Sequence, residues 1–178
     1  MGSKRWVLAA MIGAGLAAGA WAQKEQRQTL TEAQVEKIRE AGIYPNIRIK
    51  LYTDFLDERA ERIKGLTNQG KARGRAQRLD NELQDFSALL DELGSNLDEY
   101  GDRKADMRPA LKRLNELAPK WLGILKALPG ELTFDEARKE AIEADEDMVD
   151  QAKRLMTEQD TYFAEHKKAA DQEREEPQ

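Results

Sequence analysis

The sequence predicts an all-α protein: an antiparallel four-helix bundle with a short extra N-terminal helix and a long, overhanging C-terminal helix. Three observations carry this expectation. Apolar residues after position 30 recur at intervals of three and four, the helical spacing. No stretch shows the alternating β-branched pattern of a half-buried strand. Gly42, Pro45, Gly70, Gly74 and Pro129-Gly130 fall between the periodic segments, where helices stop and start.

The first helix is marked by Thr31 with Gln34 three residues later, the pairing of a capping box, and by Gly42 as its stop. Pro45 opens the second, whose Ile47, Leu51, Phe55, Leu56 and Ile63 share one face. The third has the cleanest pattern: Leu79, Leu83, Phe86, Leu90, Leu93, Leu97 and Tyr100 alternate steps of four and three, a heptad seam. The fourth starts near Pro109 and carries Leu111, Leu114, Ala118, Trp121, Leu125 and Leu128 inward, with Pro119 inside it as an expected kink. Thr133 and Glu136 form a second capping-box pattern, opening a fifth helix that runs to about Lys168. Helices two to four each span roughly 30 Å and the fifth about 50 Å, so the fifth overhangs where the second begins. Val35, Ile38 and Ile43 of the first helix are expected to cover that overhang by packing on Leu155, Met156 and Phe163.

The N-terminus carries information of another kind. Lys4 and Arg5 precede an apolar run from Trp6 to Ala20, and Ala20-Trp21-Ala22 is the small-x-small pattern that precedes signal cleavage. The chain of 178 residues is therefore expected to be a secretory signal over 1–22, one helical domain over 23–170 and a charged disordered tail over 171–178. Periplasmic or secreted location follows, with membrane contact only through an uncleaved signal. Loss of Lys4 and Arg5 takes the formal charge from −5 to −7, which disfavours nucleic acid as a partner. Zero Cys excludes disulfides, thiolate nucleophiles and Cys-held metals, and a single His leaves little for acid–base catalysis. No cofactor-binding motif occurs.

Three constellations remain as candidate sites. Glu136, Glu140, Glu143, Asp147 and Asp150 repeat by four and three, placing five carboxylates on one stripe of the last helix. Such a stripe is expected to pair with the protein's own cations, with a basic partner or a hard cation as the alternatives. Arg62, Lys64, Lys71, Arg73, Arg75 and Arg78 form the chain's one basic run; Lys71, Arg73, Arg75 and Arg78 are candidate partner-binding residues for an anionic surface or an envelope protein. In an up-down bundle that run lies beside Glu131, Asp135, Glu136 and Glu140, so mutual neutralisation is its expected role. His166 lacks the Glu three residues earlier that a di-metal helix would supply; Ser87 and Ser95 lack a neighbouring base.

Leu-Thr-Glu-Ala-Gln at 30–34, Leu-Gln-Asp-Phe at 83–86, Leu-Asp-Glu-Tyr-Gly-Asp-Arg-Lys-Ala-Asp at 97–106 and Tyr-Phe-Ala-Glu-His-Lys at 162–167 give the chain a likeness to a family. It resembles exported all-helical bacterial proteins of unknown function, over nearly all of the mature chain. The resemblance implies an exported helical protein and no particular site. The sequence as a whole reads as a non-enzymatic interaction or structural protein, monomeric or weakly oligomeric, with a cation or small-ligand binder using the carboxylate stripe as the alternative.

Overall fold

A computed structural model describes residues 29–70 and 72–175, with side chains placed as far as Lys167. The expected signal segment and its cleavage point before Gln23 lie outside the described residues, as does Lys71. The protein is all-α, with five helices and no strand among the described residues: α1 (Glu32–Glu40), α2 (Pro45–Thr67), α3 (Arg75–Asp102), α4 (Arg108–Lys126) and α5 (Asp135–Glu175). No helix is long and apolar enough to cross a membrane, among the described residues.

Local chemistry sets most of the boundaries. Thr31 Oγ1 accepts from the Gln34 N–H, and the Gln34 side chain accepts from the Thr31 N–H, the capping box the sequence predicts. Gly42 and Gly74, at φ of +56° and +72°, take the left-handed conformations that turn the chain into α2 and start α3. α5 begins differently from expectation: its first helical amide bond runs from Arg138 N–H to the Phe134 carbonyl, which makes Phe134 rather than Thr133 the residue at its start. It also continues to Glu175, beyond the expected end near Lys168.

The helices pack in a definite scheme. α2 lies against α3 and α4, and α5 lies against the same two. α3 and α4 are joined by only five residues, yet they do not run side by side, and neither do α2 and α5. The cross-links give directions. Arg59 reaches Glu82 and Arg48 reaches Asn96, so α2 and α3 are antiparallel. Lys126 pairs with Glu146 while the Asn115 amide donates to the Ala152 carbonyl, so α4 and α5 are antiparallel too. Asn46 to Ala110 and Asp57 to Trp121 make α2 and α4 parallel; Arg75 to Glu131 and Gln151 to Asp98 make α3 and α5 parallel.

The turn from α3 to α4 thus crosses the core's diagonal. Helices spaced 8–10 Å apart have diagonals of roughly 11–14 Å, within reach of five extended residues. Its backbone is fixed by Gln159 of α5, whose Oε1 accepts from the Met107 N–H at 2.8 Å and whose Nε2 donates to the Ala105 carbonyl at 2.7 Å. Lys104 in that turn takes a positive φ of 55° and lays its ammonium over the Tyr162 ring. Arg108 lies over Phe163, 4.4 Å from its centroid.

The interior is one apolar cluster. All seven seam residues of α3 are buried, and Trp121 meets Phe86 edge to face across the core. The α2 seam differs from the expected one. Ile47 is 50% exposed and Leu51 only half-buried, whereas Ile49, Tyr52, Leu56, Ala60 and Ile63 face inward. Tyr52 buries its ring and donates its hydroxyl to Glu92 of α3, so an amphipathic side chain holds a position that an apolar count passes over.

The expected packing of α1 on the α5 overhang does not occur. α1 packs on α2, with Ile38 in the core, while Val35 and Ile43 are 42% and 82% exposed. The cause is a latch upstream of α1: the buried Arg59 guanidinium donates to the Thr29 carbonyl at 2.6 Å while bonding Glu82 and Asp85, which draws the chain entering α1 alongside the α2–α3 pair.

Leu90→Ala is expected to cost about 2–5 kcal/mol in denaturant unfolding, because it opens a cavity beside Phe86 and Leu93. Gln159→Leu removes both bonds to the crossing turn and leaves a buried Met107 N–H unpaired, so it should cost about 1–3 kcal/mol despite gaining apolar surface.

Candidate functional site

The α5 stripe and α3 together form a carboxylate face. α3 and α5 are parallel and adjacent, so Asp80, Asp85 and Asp91 of α3 line one groove with Glu136 and Glu140 of α5. Thr29, Gln84 and Ser87 line it as well. Asp85 is held by Arg59, and Asp80 accepts from the amides of Gln77 and Gln84. Glu143, Asp147 and Asp150 continue the exposed stripe along α5.

Most of the cations expected to neutralise this stripe are engaged elsewhere. Arg113 pairs with Asp54, Lys126 with Glu146, Lys139 with Asp135 and Arg154 with Glu158, while Lys120, the fifth of them, makes no ion pair among the described residues. None of Glu136, Glu140, Glu143, Asp147 or Asp150 takes part in an ion pair among the described residues. The expectation of internal pairing is therefore corrected. Helix α5 turns its cations along its own axis, three or four residues from other acids, and α4 presents Lys126 to position 146 rather than to the stripe. The carboxylates are spread along the face, and no set of three His, Cys, Asp or Glu able to hold a metal ion occurs among the described residues.

The basic run is dispersed by the fold. Arg75 is buried, pairs with Glu131 and lies over the Phe134 ring, as a bond between the turns at one end of the molecule. Arg62 pairs with Glu82, Lys64 with Glu61, and Arg78 donates to Gln69. Of the acids expected beside this run, only Glu131 meets it: Lys139 and Arg138 engage Asp135 and hold its carboxyl below the usual range, while Glu136 and Glu140 face α3. His166 stacks on Tyr162 and its Nδ1 bonds the Tyr162 carbonyl, a local contact on α5. Ser87 and Ser95 donate to the carbonyls four residues back.

Two charged residues that sequence reasoning passed over are the most buried. Arg59 occupies the α2 seam between Leu56 and Ile63 and answers Glu82 and Asp85. Asp145 is completely buried on α5, and neither of its carboxylate oxygens has a hydrogen-bond partner. Burial, then the charge of Glu146, pushes its carboxyl up to about 8, with Lys126 acting in the opposite direction. The sequence did contain a signal for it. The inward rhythm Ala141, Met148, Ala152, Leu155 advances by seven, four and three, and a step of four from Ala141 lands on Asp145.

An unpaired stripe repels itself. Replacing Glu136, Glu140, Glu143 and Asp147 with Gln or Asn is expected to raise the melting temperature at low salt, by a few tenths of a kcal/mol for each repelling pair removed, with the gain shrinking as the ionic strength rises. A loss of stability that grows with salt removal would show instead that the stripe is paired. The chain matches no family model, and no curated protein or solved structure is significantly similar to it.

Proposed function

We propose that this is an exported, non-enzymatic protein of the periplasm or cell envelope, a four-helix bundle of α2–α5 that works by contact with another macromolecule. The contact surface is the α3–α5 carboxylate face, and the partner is cationic. The observation that carries this reading is the stripe Glu136, Glu140, Glu143, Asp147 and Asp150, none of which is paired by the protein's own cations among the described residues. A large single-sign field costs folding stability and gains association rate with an opposite charge. Carboxylates spaced along a helix over several turns suit a chain carrying several Lys or Arg better than one compact metal ion, which wants six or more oxygens converging at about 2.4 Å. The basic turn is the weaker docking surface, because Arg75 is committed to Glu131 and Arg62 to Glu82.

The export half of the proposal rests on Lys4, Arg5, the apolar run and Ala20-Trp21-Ala22. Intact mass of the protein recovered from the periplasm or medium should correspond to a chain beginning at Gln23; full-length protein in the membrane pellet would overturn it. For the contact surface, a synthetic Lys- and Arg-rich peptide is the probe. It should bind with a steep salt dependence, and the combined Glu136→Gln, Glu140→Gln, Glu143→Gln and Asp147→Asn variant should bind at least tenfold more weakly. Unchanged peptide binding by that variant rejects the carboxylate face. Binding to anionic vesicles that Arg73→Gln with Arg78→Gln abolishes would assign docking to the basic turn instead, and a melting temperature raised by millimolar calcium would favour a cation binder.

A further inference from the structure

Asp145 holds a seam position of α5 whose neighbours along the seam, Ala141 and Met148, are buried and apolar. Its two oxygens are buried without a donor. The charged groups acting on it are few. From α4 there is Lys126, from α5 itself Glu146, and no charged side chain of α3 acts on it among the described residues. Lys126 is already paired with Glu146 at 2.6 Å, on side chains about half exposed. A neutral carboxylic acid can be accommodated in such a place; an unpaired carboxylate there loses its hydration with nothing in return.

We propose that Asp145 makes the seam between α4 and the N-terminal half of α5 proton-dependent: the seam closes on the protonated acid, and loss of the proton draws Lys126 from Glu146 to Asp145 and unseats α5 from α4. The geometry identifies the part that moves. Trp121 ties the end of α4 to α2 through a 2.9 Å bond to Asp57 and packs on Phe86, so α4 stays with α2. Below Asp145, the Asn115 amide holds the Ala152 carbonyl and Gln159 holds the α3–α4 turn, so α5 is fastened from Ala152 onward. The segment between, Asp135 to Val149, is joined to α4 by the Lys126–Glu146 pair and by apolar packing.

The direction of the pH dependence follows from the two protonation midpoints. In the closed seam Asp145 titrates at about 8. In the open seam it meets water with Lys126 beside it and titrates no higher than an ordinary aspartate, near 3.9. Between those values the open form has released a proton that the closed form keeps, so opening becomes about tenfold more favourable for each unit of pH rise. Above about pH 8 both forms are ionised and the dependence levels off. The seam therefore tightens as the medium becomes more acidic.

Amide hydrogen exchange on the full chain between pH 5 and 9, corrected for intrinsic exchange, tests this. Amides within Asp135–Val149 should open about tenfold more per pH unit up to about 8 and no further, while amides of α2 keep a flat profile. Asp145→Asn should abolish the slope and keep the segment protected at pH 8. Lys126→Gln should raise the titration midpoint of the Asp145 carboxyl carbon followed by NMR. An Asp145 midpoint below 5 in the unmodified protein, a slope that survives Asp145→Asn, or a midpoint indifferent to Lys126→Gln each overturns the proposal. The NMR titration of the unmodified protein decides even where a variant fails to fold.

Discussion

The packing of the whole molecule depends on one buried glutamine. The chain leaving α3 has to pass over the end of the core's diagonal to reach α4, and there the Ala105 carbonyl and the Met107 N–H turn away from water and need partners. Gln159 supplies both an acceptor, to Met107, and a donor, to Ala105, from a single planar amide. With the turn so held, α4 arrives beside α2 instead of beside α3, and α5 fills the remaining side between α3 and α4. Every adjacency that matters for function follows from that placement. α3 meets α5 with their acidic faces together, and α4 meets α5 with Asp145 enclosed.

Two buried charges show opposite solutions to the same cost. Arg59 meets three acceptors, Thr29 upstream of α1 and Glu82 and Asp85 on α3, and so fixes where the N-terminal segment enters α1. Asp145 has no donor at all and must remain neutral to stay where it is. The first arrangement stabilises through charge-assisted bonds made by both terminal nitrogens of the guanidinium. The second leaves part of α5 dependent on the protonation state of one group, between anchors at Glu131 and at Ala152.

The sequence made the helices, their order and most of their inner faces legible, because the 3–4 rhythm of α3 and α4 reports burial directly and Thr31, Gly42 and Pro45 report ends. Pairing between helices was less legible. A short turn implies neighbours, and nothing in Arg103–Met107 itself announces a diagonal crossing; the deciding residue, Gln159, lies more than fifty positions away in sequence. The α2 face was misassigned for a related reason. Tyr52 and Arg59 are buried through partners on α3, and a polar side chain's partner is invisible until the fold brings it near. For the carboxylate face the stripe on α5 was evident from spacing, whereas its reinforcement by Asp80 and Asp91 required knowing that α3 runs beside it. The failure of the nearby cations to answer it is likewise a property of helix rotation, not of composition.

The parallel course of α3 and α5 gives the carboxylate face a polarity along its length. Both helices run from the end marked by Arg75 and Glu131 towards Asp98 and Gln151, so their side chains, which lean towards each helix's N-terminus, tilt the same way on both walls of the groove. A chain laid along the groove in one direction is therefore not equivalent to the same chain laid in the other.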